Sequence, residues 1–110
     1  MMFQSFNAPV VELNDGVLVR RAGLFYKKRI LLSAVRRIVA VNRDALTHEE
    51  TMVGFVESDG SEMWISEFDK NFQEVLIELR ALLPGFEGVE GFVSKKPIEP
   101  MEKVLWQQMN

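Results

Sequence analysis

The spacing of apolar residues changes once along the chain, just after residue 66, and this change limits the fold more than any other feature. Upstream, apolar residues recur at every second position, so that Met63 and Ile65 share one face of a strand and Glu62 and Trp64 share the other. Alternation is typical of a strand with one buried face. Downstream, the apolar residues recur every third or fourth position and share one side of a helix: Phe72, Val75, Leu76, Leu79, Leu82 and Leu83. The sequence predicts strands followed by one helix over residues 69–83.

Turn signals divide the first part of the chain into short strands. Asn14-Asp15-Gly16 and Ser58-Asp59-Gly60 are typical of tight hairpin turns, since Asn and Asp tolerate positive φ and Gly favours it. Ala22-Gly23 allows a bend, and Ser33-Ala34 interrupts an extended run. The predicted strands cover residues 10–13, 17–21, 24–32, 35–43, 51–57 and 62–66, with a polar loop over residues 44–50.

The predicted helix has a clear start and a clear stop. Asp69 can cap its N-terminus, and Pro84-Gly85 ends it. Beyond it, glycines and prolines predict coil, although residues 91–93 could pair at a sheet edge. The run over residues 103–108 favours a strand, and a short helix is the alternative.

This order of turns and apolar positions resembles bacterial pleckstrin-homology-like domains. The resemblance lies in Gly16–Phe25, Arg29–Ile38 and the closing Ile65–Asp69, within residues 10–84. It implies a β-rich α+β fold, a bent antiparallel sandwich or barrel of about six or seven strands capped by helix 69–83. We expect a single domain over residues 1–110, with residues 85–110 as an extension that packs on the core or on a partner.

The family hosts lipid-headgroup binders, peptide binders and scaffolds, so the resemblance leaves the ligand open. Its eukaryotic branch binds phosphoinositides around the loop between the first two strands. In this chain that loop is the short, acidic turn Asn14-Asp15-Gly16, so the family's lipid site is not transferred.

Composition argues against several kinds of chemistry. The chain has no cysteine, which excludes thiolate nucleophiles and disulfides, and its one histidine, His48, falls in the polar loop. Glu74 and Glu78 fall on the solvent side of the helix. We therefore expect no enzymatic activity, no metal and no cofactor. With neither a leader pattern nor an apolar run of about 20 residues, we expect a cytoplasmic protein.

A basic stretch is the first candidate site. Residues 16–43 contain eight basic residues and no acid, although the net charge of the chain is −3. Strand alternation places Lys27 and Arg29 on one face and Lys28 on the other. The candidate anion-binding residues are Arg20, Arg21, Lys27, Arg29, Arg36 and Arg37.

This stretch allows two interpretations. It could bind an anionic lipid surface, or nucleic acid with Phe25 or Tyr26 as a stacking platform, an option that the overall acidity disfavours. The alternative is cross-strand pairing within the molecule. The acidic partners would then be Glu49, Glu50, Glu57 and Glu62.

A surplus of apolar residues is the second candidate site. Strand 35–43 is apolar on both faces, and the candidate interface residues are Val39, Val41, Trp64 and Trp106. Either a partner or second copy covers this face, or the tail folds back over it. We therefore expect a non-catalytic interaction or scaffolding module that acts by protein–protein contact or self-association, with anionic-ligand binding as the alternative. The sequence identifies no small-molecule substrate.

Overall fold

The first sheet is a three-stranded antiparallel meander. The computed structural model describes residues 8–44, 49–88 and 101–108. Strands β1 (Val10–Asn14), β2 (Val17–Ala22) and β3 (Tyr26–Leu31) lie in chain order. Asp15 and Gly16 both have positive φ, 52° and 77°, which is the geometry of a two-residue hairpin turn. The predicted first hairpin is confirmed.

The second sheet has four antiparallel strands. A short 3-10 turn, Leu32–Ala34, leads into β4 (Val35–Asp44), and β5 (Glu49–Glu57) and β6 (Glu62–Ser66) follow. The last strand, β7 (Met101–Gln107), pairs with the other side of β4, so the order is β6-β5-β4-β7. The described part of the chain is thus mostly β, with seven strands and one α-helix late in the chain. The predicted β-rich α+β class is confirmed.

The tail forms a strand. The sequence favoured a strand over residues 103–108 and left a helix open; β7 covers most of that range. It pairs antiparallel with β4, Val39 opposite Val104, and its Leu105 is 1% exposed. The predicted edge pairing of residues 91–93 lies outside the described residues.

The helix, α1, is shorter than predicted. It covers Phe72–Leu82, and Asn71 precedes it in the left-handed region with φ 70°. Asp69 does not cap it, because the Asp69 carboxylate is held by Arg20 of β2. Leu82 is also 53% exposed instead of buried, since the helix ends there and Leu83 turns toward the core in its place.

The core lies between the two sheets and the helix. Leu18 and Ile30 contribute from the first sheet, and Ile38 and Phe55 from the second. The prediction that Met63 and Ile65 face inward is confirmed, since they are 1% and 0% exposed. From α1, the buried side chains are Phe72, Val75, Leu76 and Leu79.

Candidate functional site

The β2–β3 hairpin ends in a tip that presents two apolar side chains to solvent. Ala22 and Tyr26 form the last cross-strand pair, and Gly23, Leu24 and Phe25 make the turn. Gly23 has φ 66°, which Gly adopts at no steric cost. Leu24 is 92% exposed and Phe25 is 95% exposed. We call Leu24 and Phe25 the apolar tip.

The apolar tip corrects one prediction. The sequence predicted an extended strand over residues 24–32, but β3 begins only at Tyr26. A hairpin turn that starts at Gly23 needs further residues to reverse the chain, so Leu24 and Phe25 belong to the turn. The signal for this was the position of the apolar pair directly after Ala22-Gly23.

Three of the predicted basic residues share the outer face of the first sheet. Arg21 lies directly opposite Lys27, one residue pair back from the pair that closes the hairpin, and Arg29 follows Lys27 on the same face. All three are exposed. The carboxylate of Glu12 on β1 joins this face and accepts from Arg21 at 3.1 Å, with both side chains nearly half exposed. We call Arg21, Lys27 and Arg29 the outer cations.

The basic residues on the inner face bond to other parts of the chain. Lys28 lies on the side opposite Lys27, as alternation predicts, and its Nζ donates to the backbone carbonyl of Glu62 at 2.6 Å. Arg20 lies on the same inner face, opposite Lys28. The hairpin therefore separates its cations into a structural inner set and an available outer set.

Arg20 forms a bidentate ion pair with Asp69. Its Nε and Nη2 donate to the two carboxylate oxygens at 2.8 Å and 3.1 Å. The Asp69 side chain is 0% exposed and that of Arg20 is 19% exposed. The hydrogen bond to Asp69 raises the pKa of Arg20 above its ordinary value, against the opposing effect of burial. Arg20 is thus part of the joint between β2 and the turn before α1.

The structure does not bring the other two predicted cations to the tip. Arg36 and Arg37 lie at the start of β4, where they line an open groove with Glu57, Gln107 and Gln108. The six residues of β3 lead away from the tip over roughly 20 Å before the chain reaches the start of β4. The six predicted residues therefore divide among three places: the outer face, the inner joint and the far end of the second sheet.

Two ion pairs of the basic stretch use acids other than the four that the sequence suggested, while Glu50 lies directly opposite Arg43 in the register of β4 and β5. The first pair joins Arg20 to Asp69 and the second joins Arg21 to Glu12. Glu62 takes part through its backbone carbonyl, which accepts from Lys28.

The candidate interface residues are largely engaged within the chain. Val39 is only 2% exposed, and Val41 is half-buried. The Trp64 ring lies on the backbone of Gly54, and its indole N–H donates to the Glu62 carboxylate. The Trp106 side chain packs against the core, and its indole N–H donates to the Pro84 carbonyl. The tail thus folds back onto the domain, but as a strand beside β4 in the same sheet and not as a layer over the apolar face of β4.

Three further findings concern chemistry and relatives. His48 lies outside the described residues, and among those described no group of three potential carboxylate or imidazole ligands could hold a metal. No helix within the described ranges has the length and apolar character to cross a bilayer. No protein-family model matches the chain, and comparisons with curated proteins and with solved structures found no significant match.

Proposed function

We propose that this protein is a non-catalytic interaction module of pleckstrin-homology-like architecture, and that the apolar tip with the outer cations is its contact surface. The observation that carries the proposal is the exposure of Leu24 and Phe25, at 92% and 95%. Large apolar side chains that are fully exposed side by side mark a surface that another apolar surface covers.

The strands of the hairpin are tied to the rest of the molecule behind the tip, and the tip itself stays exposed. Arg20 ties β2 to Asp69, and Lys28 ties β3 to the edge of the second sheet at Glu62. Both ties use the inner face. The outer face and the tip are thereby presented in a fixed position, which lowers the entropy lost when a partner binds.

The buried ionisable groups support a structural role for the rest of the molecule. The Asp69 carboxylate accepts from Arg20 and also from the backbone N–H of Ser66 at 3.0 Å. These hydrogen bonds connect β2 of the first sheet to the end of β6 in the second sheet. The sandwich therefore serves as the scaffold, and the hairpin as the contact element.

Single-cysteine labelling tests this proposal without knowledge of the partner. Because the chain contains no cysteine, Leu24→Cys and Ile77→Cys each introduce one reactive thiol at an exposed position. Ile77 is 67% exposed on α1 and serves as the matched control. Maleimide labelling rates are compared for the purified protein and for the protein in an extract of cells that make it.

The ratio of the two rates cancels any loss of reagent to other thiols in the extract. We expect Leu24→Cys to label several-fold more slowly relative to Ile77→Cys in the extract than in the purified sample, because a partner covers the tip. An unchanged ratio would mean that the tip is not a contact surface, and the proposal would be wrong.

A further inference from the structure

We propose that the partner of the apolar tip is an anionic lipid bilayer, into which Leu24 and Phe25 insert while the outer cations bind lipid phosphates. This inference rests on the proposed function and adds the chemical class of the partner. It depends on the shape of the tip, on the depth at which the cations lie and on the sign of their charge.

The shape of the tip suits a fluid apolar medium. Leu24 and Phe25 project from a convex turn, so a partner must surround them on several sides. Transfer of each side chain from water to hydrocarbon favours binding by a factor of about ten to a hundred. Tyr26 follows at 46% exposure but lies on the inner face, where its side chain interacts with Arg20, so Leu24 and Phe25 alone supply the inserted surface.

The cations lie at the depth of the phosphates. Lys27 is two residues from Phe25 along the hairpin, which corresponds to roughly 7 Å of strand. The headgroup layer on each side of a bilayer is about 5–8 Å thick. When Phe25 reaches the edge of the hydrocarbon, Lys27 and its cross-strand partner Arg21 therefore lie among the phosphates.

The charge around the tip selects an anionic partner and disfavours a second copy. Two tips meeting end to end would bring the Arg21 and Lys27 pairs of both copies together, which like charges oppose. Single-stranded nucleic acid could stack on Phe25, but Leu24 offers no aromatic face. A bilayer uses both apolar side chains and the cations together.

Acidic groups near this face set its affinity. Glu12 pairs with Arg21, and because both side chains are nearly half exposed, a lipid phosphate can replace the carboxylate. The acidic residue Asp15 lies at the opposite end of β2, in the β1–β2 turn, about 20 Å from the tip. Glu12 therefore opposes anionic lipid on the outer face itself, and Glu57 lines a groove with Arg29, the outer cation farthest from the tip.

Vesicle sedimentation with the full chain tests the inference. The probes are vesicles of pure phosphatidylcholine and vesicles in which one-third of the lipid is phosphatidylserine. We expect binding to the anionic vesicles only, and weaker binding as salt is raised. Leu24→Ser/Phe25→Ser should weaken binding at least tenfold, and the matched helix variant Ile77→Ser/Leu82→Ser should bind as the wild type does.

Charge variants give an independent readout. Lys27→Gln should weaken binding about fivefold, the effect of one cation near an anionic surface. Arg36→Gln, at the exposed start of β4 and away from the tip, should leave binding unchanged. Glu12→Gln should tighten binding by a similar factor. An environment-sensitive fluorophore on Leu24→Cys should shift to the blue on anionic vesicles.

The outcomes separate this inference from the proposed function. If the extract protects Leu24→Cys after membranes are removed by centrifugation, and vesicles do not bind, the partner is a soluble protein and the bilayer inference is wrong. Equal binding of the tip variant and the helix variant would also overturn it, as would binding that is independent of phosphatidylserine. If vesicles protect the tip and the membrane-free extract does not, both proposals stand.

Discussion

Replacement of Arg20 by methionine should destabilise the protein far more than the same replacement one residue later. Arg20 and Arg21 are neighbours on β2, and each forms an ion pair. The Arg20 partner, Asp69, is 0% exposed, whereas Arg21 and its partner Glu12 are 47% and 42% exposed. The two sites therefore differ mainly in the burial of the charge that remains.

The magnitude follows from that difference. Methionine keeps most of the apolar stem of Arg20 but removes both guanidinium donors from the buried Asp69 carboxylate, which keeps the backbone N–H of Ser66 as a donor. Removal of one partner from a buried pair costs about 3–5 kcal/mol. Arg21→Met loses an exposed pair, which is worth about 0–1 kcal/mol. For a domain of this size the first loss lowers Tm by roughly 12–20 °C.

Urea unfolding followed by tryptophan fluorescence measures both variants, because Trp64 and Trp106 lie in the second sheet. The gap between Arg20→Met and wild type should be the same at neutral and mildly alkaline pH. Arg20 has a raised pKa, so its contribution is present below the ordinary arginine value and fades only as the pH rises through the still higher folded value. A difference between Arg20→Met and Arg21→Met of less than about 1 kcal/mol would refute the argument from burial.

Three further predictions follow from local contacts. Gly54→Ala places a methyl 2.6–2.7 Å from three carbons of the Trp64 ring, so the ring must move. We expect the free energy of unfolding to fall by about 1–3 kcal/mol and the tryptophan emission to shift to the red. Neither effect should appear when Gly54→Ala is introduced into a Trp64→Ala background. Leu105→Ala should cost about 2–5 kcal/mol in urea unfolding, because the side chain is 1% exposed, and a loss below 1 kcal/mol would mean that β7 does not seal the core. The backbone N–H of Ser61 donates to the Asp59 carboxylate and lowers the pKa of Asp59. The small stabilising effect of this hydrogen bond is present above the ordinary carboxyl pKa and disappears as the pH falls through the lowered value. Ser61→Pro removes the donor, so carboxyl titration by NMR should show the pKa of Asp59 moving back toward its ordinary value.

Local patterns predicted the parts of this fold that local interactions determine. The Asp15-Gly16 turn, the inward positions of Met63 and Ile65 and the helical stripe each depend on residues within a few positions of one another. Alternation likewise separated Lys27 from Lys28, although nothing in the pattern indicates which of the two bonds to the second sheet.

Features set by long-range contacts could not be predicted in this way. Asp69 has the sequence position of a helix cap, but its carboxylate pairs with Arg20, 49 residues away, and the helix begins only at Phe72. The outward position of Trp64 was predicted, but not that its ring lies on Gly54 across the strand pair. Leu24 and Phe25 look like strand residues by composition, and only the turn that starts at Gly23 places them in solvent.

The two faces of the hairpin make stability and binding separable by single substitutions. Arg20 and Lys28 form one cross-strand pair and hold the hairpin to the rest of the molecule, whereas Arg21 and Lys27 form the next pair, which faces the opposite side. A variant that reverses the charge of the whole stretch would therefore unfold the hairpin and remove its cations at once, and its loss of binding would carry no information. Substitutions at Arg21, Lys27 and the tip change the outer surface alone, because their side chains are exposed and the inner ties remain. A binding defect in those variants with unchanged unfolding therefore reports on contact with the partner and not on the fold.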